Sequence, residues 1–158
     1  MKPSIALPVL LVALLFASMP VVAQDDLKPY FNVDGNGLWV EGYDPVAYLV
    51  DGKAIQGSER FSMVHQGATF RFASQAHLDA FRKEPVKYLP QYGGYCAFAM
   101  GDYGEKVEVD PETFKVKDGK LFLFYNAYFN NTLTTWNKDE PRLHSSADRN
   151  WAVFKHAK

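Results

Sequence analysis

The chain has 158 residues with 17 basic and 18 acidic side chains, a net charge of −1 with histidine neutral. No basic block or stripe accompanies that balance, so no nucleic-acid partner is expected. A single cysteine excludes an internal disulfide, and 47% hydrophobic residues can build one packed domain.

Residues 1–23 read as an export signal. Lys2 supplies the positive start, Leu7 to Phe16 an apolar stretch broken by Pro8, and Val21-Val22-Ala23 the small residues before a cut expected between Ala23 and Gln24. The stretch is shorter than the roughly 20 residues of a membrane span, so no stable membrane anchor is expected after cleavage. The expected product is one domain over residues 24–158, periplasmic or secreted. Its net charge is −2 once Lys2 is gone.

Asp34-Gly35-Asn36-Gly37 predicts a turn, and Leu38-Trp39-Val40 a short strand. Glu41 to Pro45 is a second turn, Val46 to Val50 a short extended or helical piece, and Asp51-Gly52 a third turn. Phe61–Val64 and Ala68–Phe72 flank His65-Gln66-Gly67 and predict a hairpin with His65 at its tip. Ser74 suits a helix N-cap, with Gln75 to Lys83 as the body and Leu78 and Phe81 on its inward face. Pro85 ends that helix. Gly93-Gly94 is a hinge, and Tyr95 to Met100 a buried strand or short helix.

Val107 to Val109 leads to a turn at Asp110-Pro111-Glu112. Asp118-Gly119 joins Phe114–Val116 to Leu121–Tyr125 in a second hairpin. Phe129, Leu133 and Trp136 predict one closing helix, and Leu143, Ala147, Trp151 and Phe154 another. The sum is an α+β domain, one small antiparallel sheet carrying about three helices.

Several phrases occur in an order that resembles exported bacterial YHS-domain proteins. They are Asp44-Pro45-Val46-Ala47-Tyr48, Gly67 to Ser74, then Phe81, Pro85 and Tyr88, then Tyr92-Gly93-Gly94-Tyr95-Cys96-Ala97, and the hairpin from Asp110 to Leu123. The resemblance runs from about Tyr43 to Trp151 and implies a YHS/TRASH-like core. It also implies kinship with metal-binding modules in which cysteines stand where this chain has Ala47, Ala73 and His77. The thiolate cluster is therefore absent, and His77 alone keeps a ligand type at those positions.

Cys96 has four readings. It is a small core hydrophobe, a partner for another molecule, a ligand, or a reactive thiol, since Gly93-Gly94 can present amides that favour a thiolate. Met100 stands four residues beyond it, and with His77 would complete a soft donor set suited to a transition metal such as copper. Tyr48, Tyr92 and Tyr95, with Gly93 and Gly94, are candidate pocket residues; Tyr43 and Tyr88 fall in the same motifs. His65, His144 and His156 carry no ligand spacing. Asp44, Asp110 and Glu112 are explained by turn chemistry.

No nucleophile elbow, phosphate loop or dinucleotide fingerprint is present, so no enzyme class is indicated. The expected function is a small binding module for a metal ion or metal-containing ligand near Cys96. The alternatives are a thiol-reactive or redox-sensing protein using Cys96, and a partner-binding domain with Cys96 as core filler.

Overall fold

Turn chemistry lays out the first layer of the structure. The computed structural model describes residues 30–156; the expected export signal and cut between Ala23 and Gln24 lie outside the described residues. Strands β1 (Ser58–His65) and β2 (Ala68–Phe72) pair antiparallel across a two-residue turn. Gln66 and Gly67 both have positive φ there, 50° and 82°, the geometry that matches strand twist in tight hairpins. Asp118 and Gly119, at 52° and 71°, join β3 (Asp110–Lys117) to β4 (Lys120–Phe124) in the same way.

Helix α1 spans Pro45–Val50, α2 Gln75–Lys83 and α3 Pro85–Tyr88. Ser74 caps α2 as expected, its Oγ accepting from His77 N at 3.2 Å. Pro85 ends α2 and also opens α3, because proline suits a first helical position while forcing Glu84 out of helical angles. Cys96 stands immediately before α4 (Ala97–Asp102), so the Tyr95–Met100 stretch is mostly helical. The chain closes with α5 (Thr132–Trp136) and α6 (Glu140–His156), the latter burying Leu143, Ala147 and Trp151.

Three expectations are corrected. The α+β class holds, but the described residues form three separate two-stranded antiparallel sheets and six α-helices, not one sheet with about three helices. Leu38 to Val40 is no strand: Leu38 and Trp39 make isolated bridges, and Val40 and Glu41 turn away with φ of 35° and 52°. Phe129 does not share the face of Leu133 and Trp136. It tips a small hairpin, β5 (Asn126–Ala127) with β6 (Asn130–Asn131), beside Tyr128, and both rings are exposed.

Strand β4 divides the interior. Leu121 and Leu123 face one core with Trp39, Phe70, Phe72 and Phe81. Phe122 and Phe124 face the other with Met100, Trp136, Leu143 and Ala147. Period-two alternation allows one strand to serve both, which is why four consecutive residues are buried. Gly101 lets α4 approach α6 closely; a Cβ there would lie 2.5 Å from Leu143 O.

Candidate functional site

Two helix starts meet at one buried carboxylate. Asp44 is fully buried and precedes Pro45, the first residue of α1. Its Oδ1 accepts from Val46 N at 2.8 Å and Ala47 N at 3.3 Å, capping the helix. Its Oδ2 accepts from Ala73 N at 2.7 Å, just ahead of α2. Ser74 then sets the first turn of α2 so that His77 faces Asp44, with Nδ1 2.6 Å from Oδ2.

A carboxylate accepts only, so the proton of this pair belongs on Nδ1. The other ring nitrogen, Nε2, lies 3.6 Å from Oδ2 of Asp51, which follows α1. The His77 side chain is 16% exposed, Asp51 37% and Asp44 not at all. The arrangement is a buried carboxylate orienting an imidazole whose free nitrogen meets a second carboxylate at the surface. Neutral Nε2 and the Asp51 oxygen both carry lone pairs, so a positive species between them satisfies both.

Cys96 is placed differently. It is fully buried. Its Sγ accepts from Tyr125 N at 3.3 Å and lies 3.5 Å from Thr132 Oγ1. The Thr132 hydroxyl donates to Tyr125 O at 2.8 Å, leaving its oxygen to accept from the thiol. Met100, next along α4, is also fully buried and belongs to the Phe122/Trp136 core. His77 thus bonds to the Asp44 corner and Cys96 to the Tyr125 backbone N–H and the Thr132 hydroxyl, with no bonding partner in common. Among the described residues, no group of three or more His, Cys, Asp or Glu side chains could hold a metal ion.

The glycine pair does not present its amides to the thiol; the Sγ donor is Tyr125 N. Gly93 has φ 66°, and a Cβ there would fall 1.8 Å from Tyr30 O, so its lack of a side chain admits the Tyr30 backbone. Its carbonyl accepts from Asn32 N at 3.0 Å and Trp39 Nε1 at 3.2 Å. Gly94 packs against Trp39 and accepts from Asn32 Nδ2.

The five candidate pocket residues separate. Tyr48 is core, its hydroxyl donating to Pro111 O at 2.9 Å. Burial raises its pKa, with smaller contributions from nearby acidic groups. Tyr95 donates to Phe31 O. Tyr92 and Gly93 line an open cavity of about 620 Å³ beside α6. Burial, then the neighbouring Asp148 carboxylate, pushes the Tyr92 phenol upward.

His65 sits at the end of β1, not at a solvated tip. Its ring packs against Phe70 and Phe81 at 6.3 and 5.6 Å, and burial lowers its pKa. The turn expected at Asp110-Pro111-Glu112 is instead the bulged start of β3, where Asp110 still accepts from Glu112 N and Thr113 Oγ1. Asp44 and Asp51 were the residues that sequence reasoning missed. An Asp directly before a Pro at a helix start is the signal that marks Asp44 as a cap; no comparable signal marks Asp51. No family model, no curated protein and no solved structure matches this chain.

Proposed function

We propose that the chain is a small non-enzymatic binding module that takes a first-row transition-metal ion at His77 and Asp51. One observation carries this reading: Asp44 holds His77 Nδ1 at 2.6 Å and leaves Nε2 facing Asp51 Oδ2 at 3.6 Å. Metal-bound histidines commonly donate their second ring N–H to a carboxylate, which fixes the ring and makes the ligating nitrogen more basic. Zinc lies about 2.0–2.2 Å from such nitrogen and oxygen donors, so a gap of this width is spanned by one ion.

Imidazole with carboxylate favours zinc, nickel or copper(II) over a thiophilic copper(I) ion. Two protein donors leave the other coordination positions to water. Such an ion exchanges readily, which suits transient capture better than permanent storage. The resemblance to exported YHS-domain proteins supports the same reading, because His77 stands at a ligand position of the metal-binding relatives. The leader-like start supports a periplasmic or secreted setting. The readings that centre on Cys96 draw less support, because its sulfur is enclosed and its hydrogen-bonding capacity is used.

Titration calorimetry of purified protein with Zn²⁺ and Cu²⁺ tests the proposal. Saturable one-to-one binding is expected, abolished by His77→Ala, weakened by Asp51→Asn and unchanged by Cys96→Ser. Affinity should fall on acidification, because a ligating imidazole must be neutral. Absence of uptake, or uptake indifferent to His77→Ala, would overturn it.

A further inference from the structure

Strand β1 has an edge that no described element covers, and neither His77 nor Asp51 belongs to it. β2 pairs with one side of the strand; among the described residues, no bridge or backbone hydrogen bond joins Ser62–His65 to anything on the other. Facing residues of an antiparallel pair alternate between exchanging hydrogen bonds and turning away from each other. Val64 stands opposite Thr69, and Thr69 turns its backbone the other way, its N–H donating to Gly37 O at 2.8 Å and its carbonyl accepting from Trp39 N at 2.9 Å. The N–H and C=O of Val64 therefore point to the open edge, and two residues earlier those of Ser62 do the same. Ser62 is exposed, and Val64 is 67% exposed.

What continues such an edge is another extended backbone, which supplies donors and acceptors at the same spacing. Charged side chains and proline commonly keep edges from pairing. β3 follows that rule with Lys115 and Lys117. Phe61 to His65 does not: it holds no proline and no acidic or basic residue but His65, whose pKa burial lowers. Glu59 and Arg60 fall in the bulge between Ser58 and Ser62. The free stretch matches a second copy of itself. With a two-fold axis at Met63, Ser62 exchanges its outward N–H and C=O with Val64 of the second copy, and Val64 with Ser62. Met63 then meets Met63, Phe61 meets His65, and no like charges face each other. Phe61 and Met63 already pack against the Trp39/Phe70 core, so the pairing extends that core across the axis. A two-stranded sheet alone is marginal, whereas this one becomes four-stranded. Because β1 has one open edge, the contact closes at two copies.

We infer that β1 is a self-association surface, pairing antiparallel with β1 of a second copy about Met63. Sedimentation equilibrium of the purified protein up to about 1 mM should show monomer and dimer in exchange, weakly associated because so short a contact is small beside a standard interface of about 1,600 Å². Val64→Pro removes the outward N–H and no β1–β2 hydrogen bond, so the hairpin should persist while dimerisation weakens about tenfold or more. Val64→Lys also spares the hairpin and should weaken dimerisation in the same direction. Oxidative crosslinking reads the register. Facing residues that exchange no bonds lie about 4.5 Å apart at Cα, within disulfide range. Met63→Cys should therefore link two copies faster than Val64→Cys, although Val64 is the more exposed position. The proposal fails if the protein stays monomeric over that range, if Val64→Pro and Val64→Lys dimerise like wild type, or if Val64→Cys links the faster.

Discussion

His77 and Cys96 both sit at helix starts and both are held by hydrogen bonds, yet only one has an atom to spare. Cys96 spends its sulfur lone pair on Tyr125 N and its proton on Thr132 Oγ1, and no part of it reaches solvent. His77 spends Nδ1 on Asp44 and keeps Nε2 at the surface beside Asp51. The cysteine is the rarer residue, one against four histidines, but rarity leaves no atom free. What prepares a side chain for a ligand is an oriented atom left unused, and burial with full satisfaction removes that.

The sharpest way to break this contrast is Asp44→Ala. It deletes the α1 cap and leaves Ala73 N–H and His77 Nδ1–H without their acceptor. The expected loss is about 2–4 kcal/mol, from the lost helix cap and the buried donors left without an acceptor, read from the midpoint of urea unfolding. A loss below about 1 kcal/mol would mean that water replaces the carboxylate and that the imidazole is not rigidly oriented. Cys96→Ala comes next. It strands Tyr125 N–H and should cost about 1–3 kcal/mol. In the native protein, Cys96 should react with a thiol reagent only as fast as the structure opens. Immediate stoichiometric labelling would reverse the contrast and return the functional reading to the thiol.

Glu140 gives a third case, in which a mostly buried carboxylate is answered by cations. Burial pushes its pKa upward, but hydrogen bonds from Lys115, Lys117 and Trp136 outweigh this and hold it at about 2, below the ordinary 4.5. A lowered folded-state pKa contributes stability that is fully present above 4.5 and is lost as pH falls through about 2. Wild-type stability should therefore fall across that window. Glu140→Gln should be less stable above it and show a flatter acid limb, measured by thermal melts from pH 6 downward. Equal acid slopes would place the titrating stability elsewhere.

Local chemistry was legible where one or two residues decide the outcome. Ser74 before Gln75, Asp118-Gly119, Pro85 after a helix, and the Leu143/Ala147/Trp151 stripe all specify their structure through cap, turn or period. What failed depended on distant partners. Leu38 to Val40 has strand composition but finds only isolated bridges, at Thr69 and Val33. The two hairpins stay separate sheets, although each was legible alone. At the candidate site, His77 was visible through a motif resemblance. Its pairing with Asp44 spans 33 residues and no local pattern encodes it. Cys96 was visible as a residue, while its enclosure by Tyr125 and Thr132 depends on how the β5–β6 hairpin folds back.

That hairpin supplies the smallest expected effect. Tyr128 and Phe129 hold φ of 51° and 64°, angles that suit Asn and Gly, and their exposures are 91% and 112%. Tyr128→Asn with Phe129→Gly should stabilise the protein by about 1 kcal/mol, because strain is relieved and no buried contact is lost. The hairpin also lies between Tyr125 and Thr132, the residues that enclose the Cys96 sulfur. If its opening is the route by which the thiol becomes exposed, the double variant should label more slowly than wild type by a factor that matches the stability gained. Stabilisation without slower labelling would mean that the sulfur is reached through movement of α4 or α6. The Cys96 enclosure would then belong to the second core as a whole and not to its weakest turn.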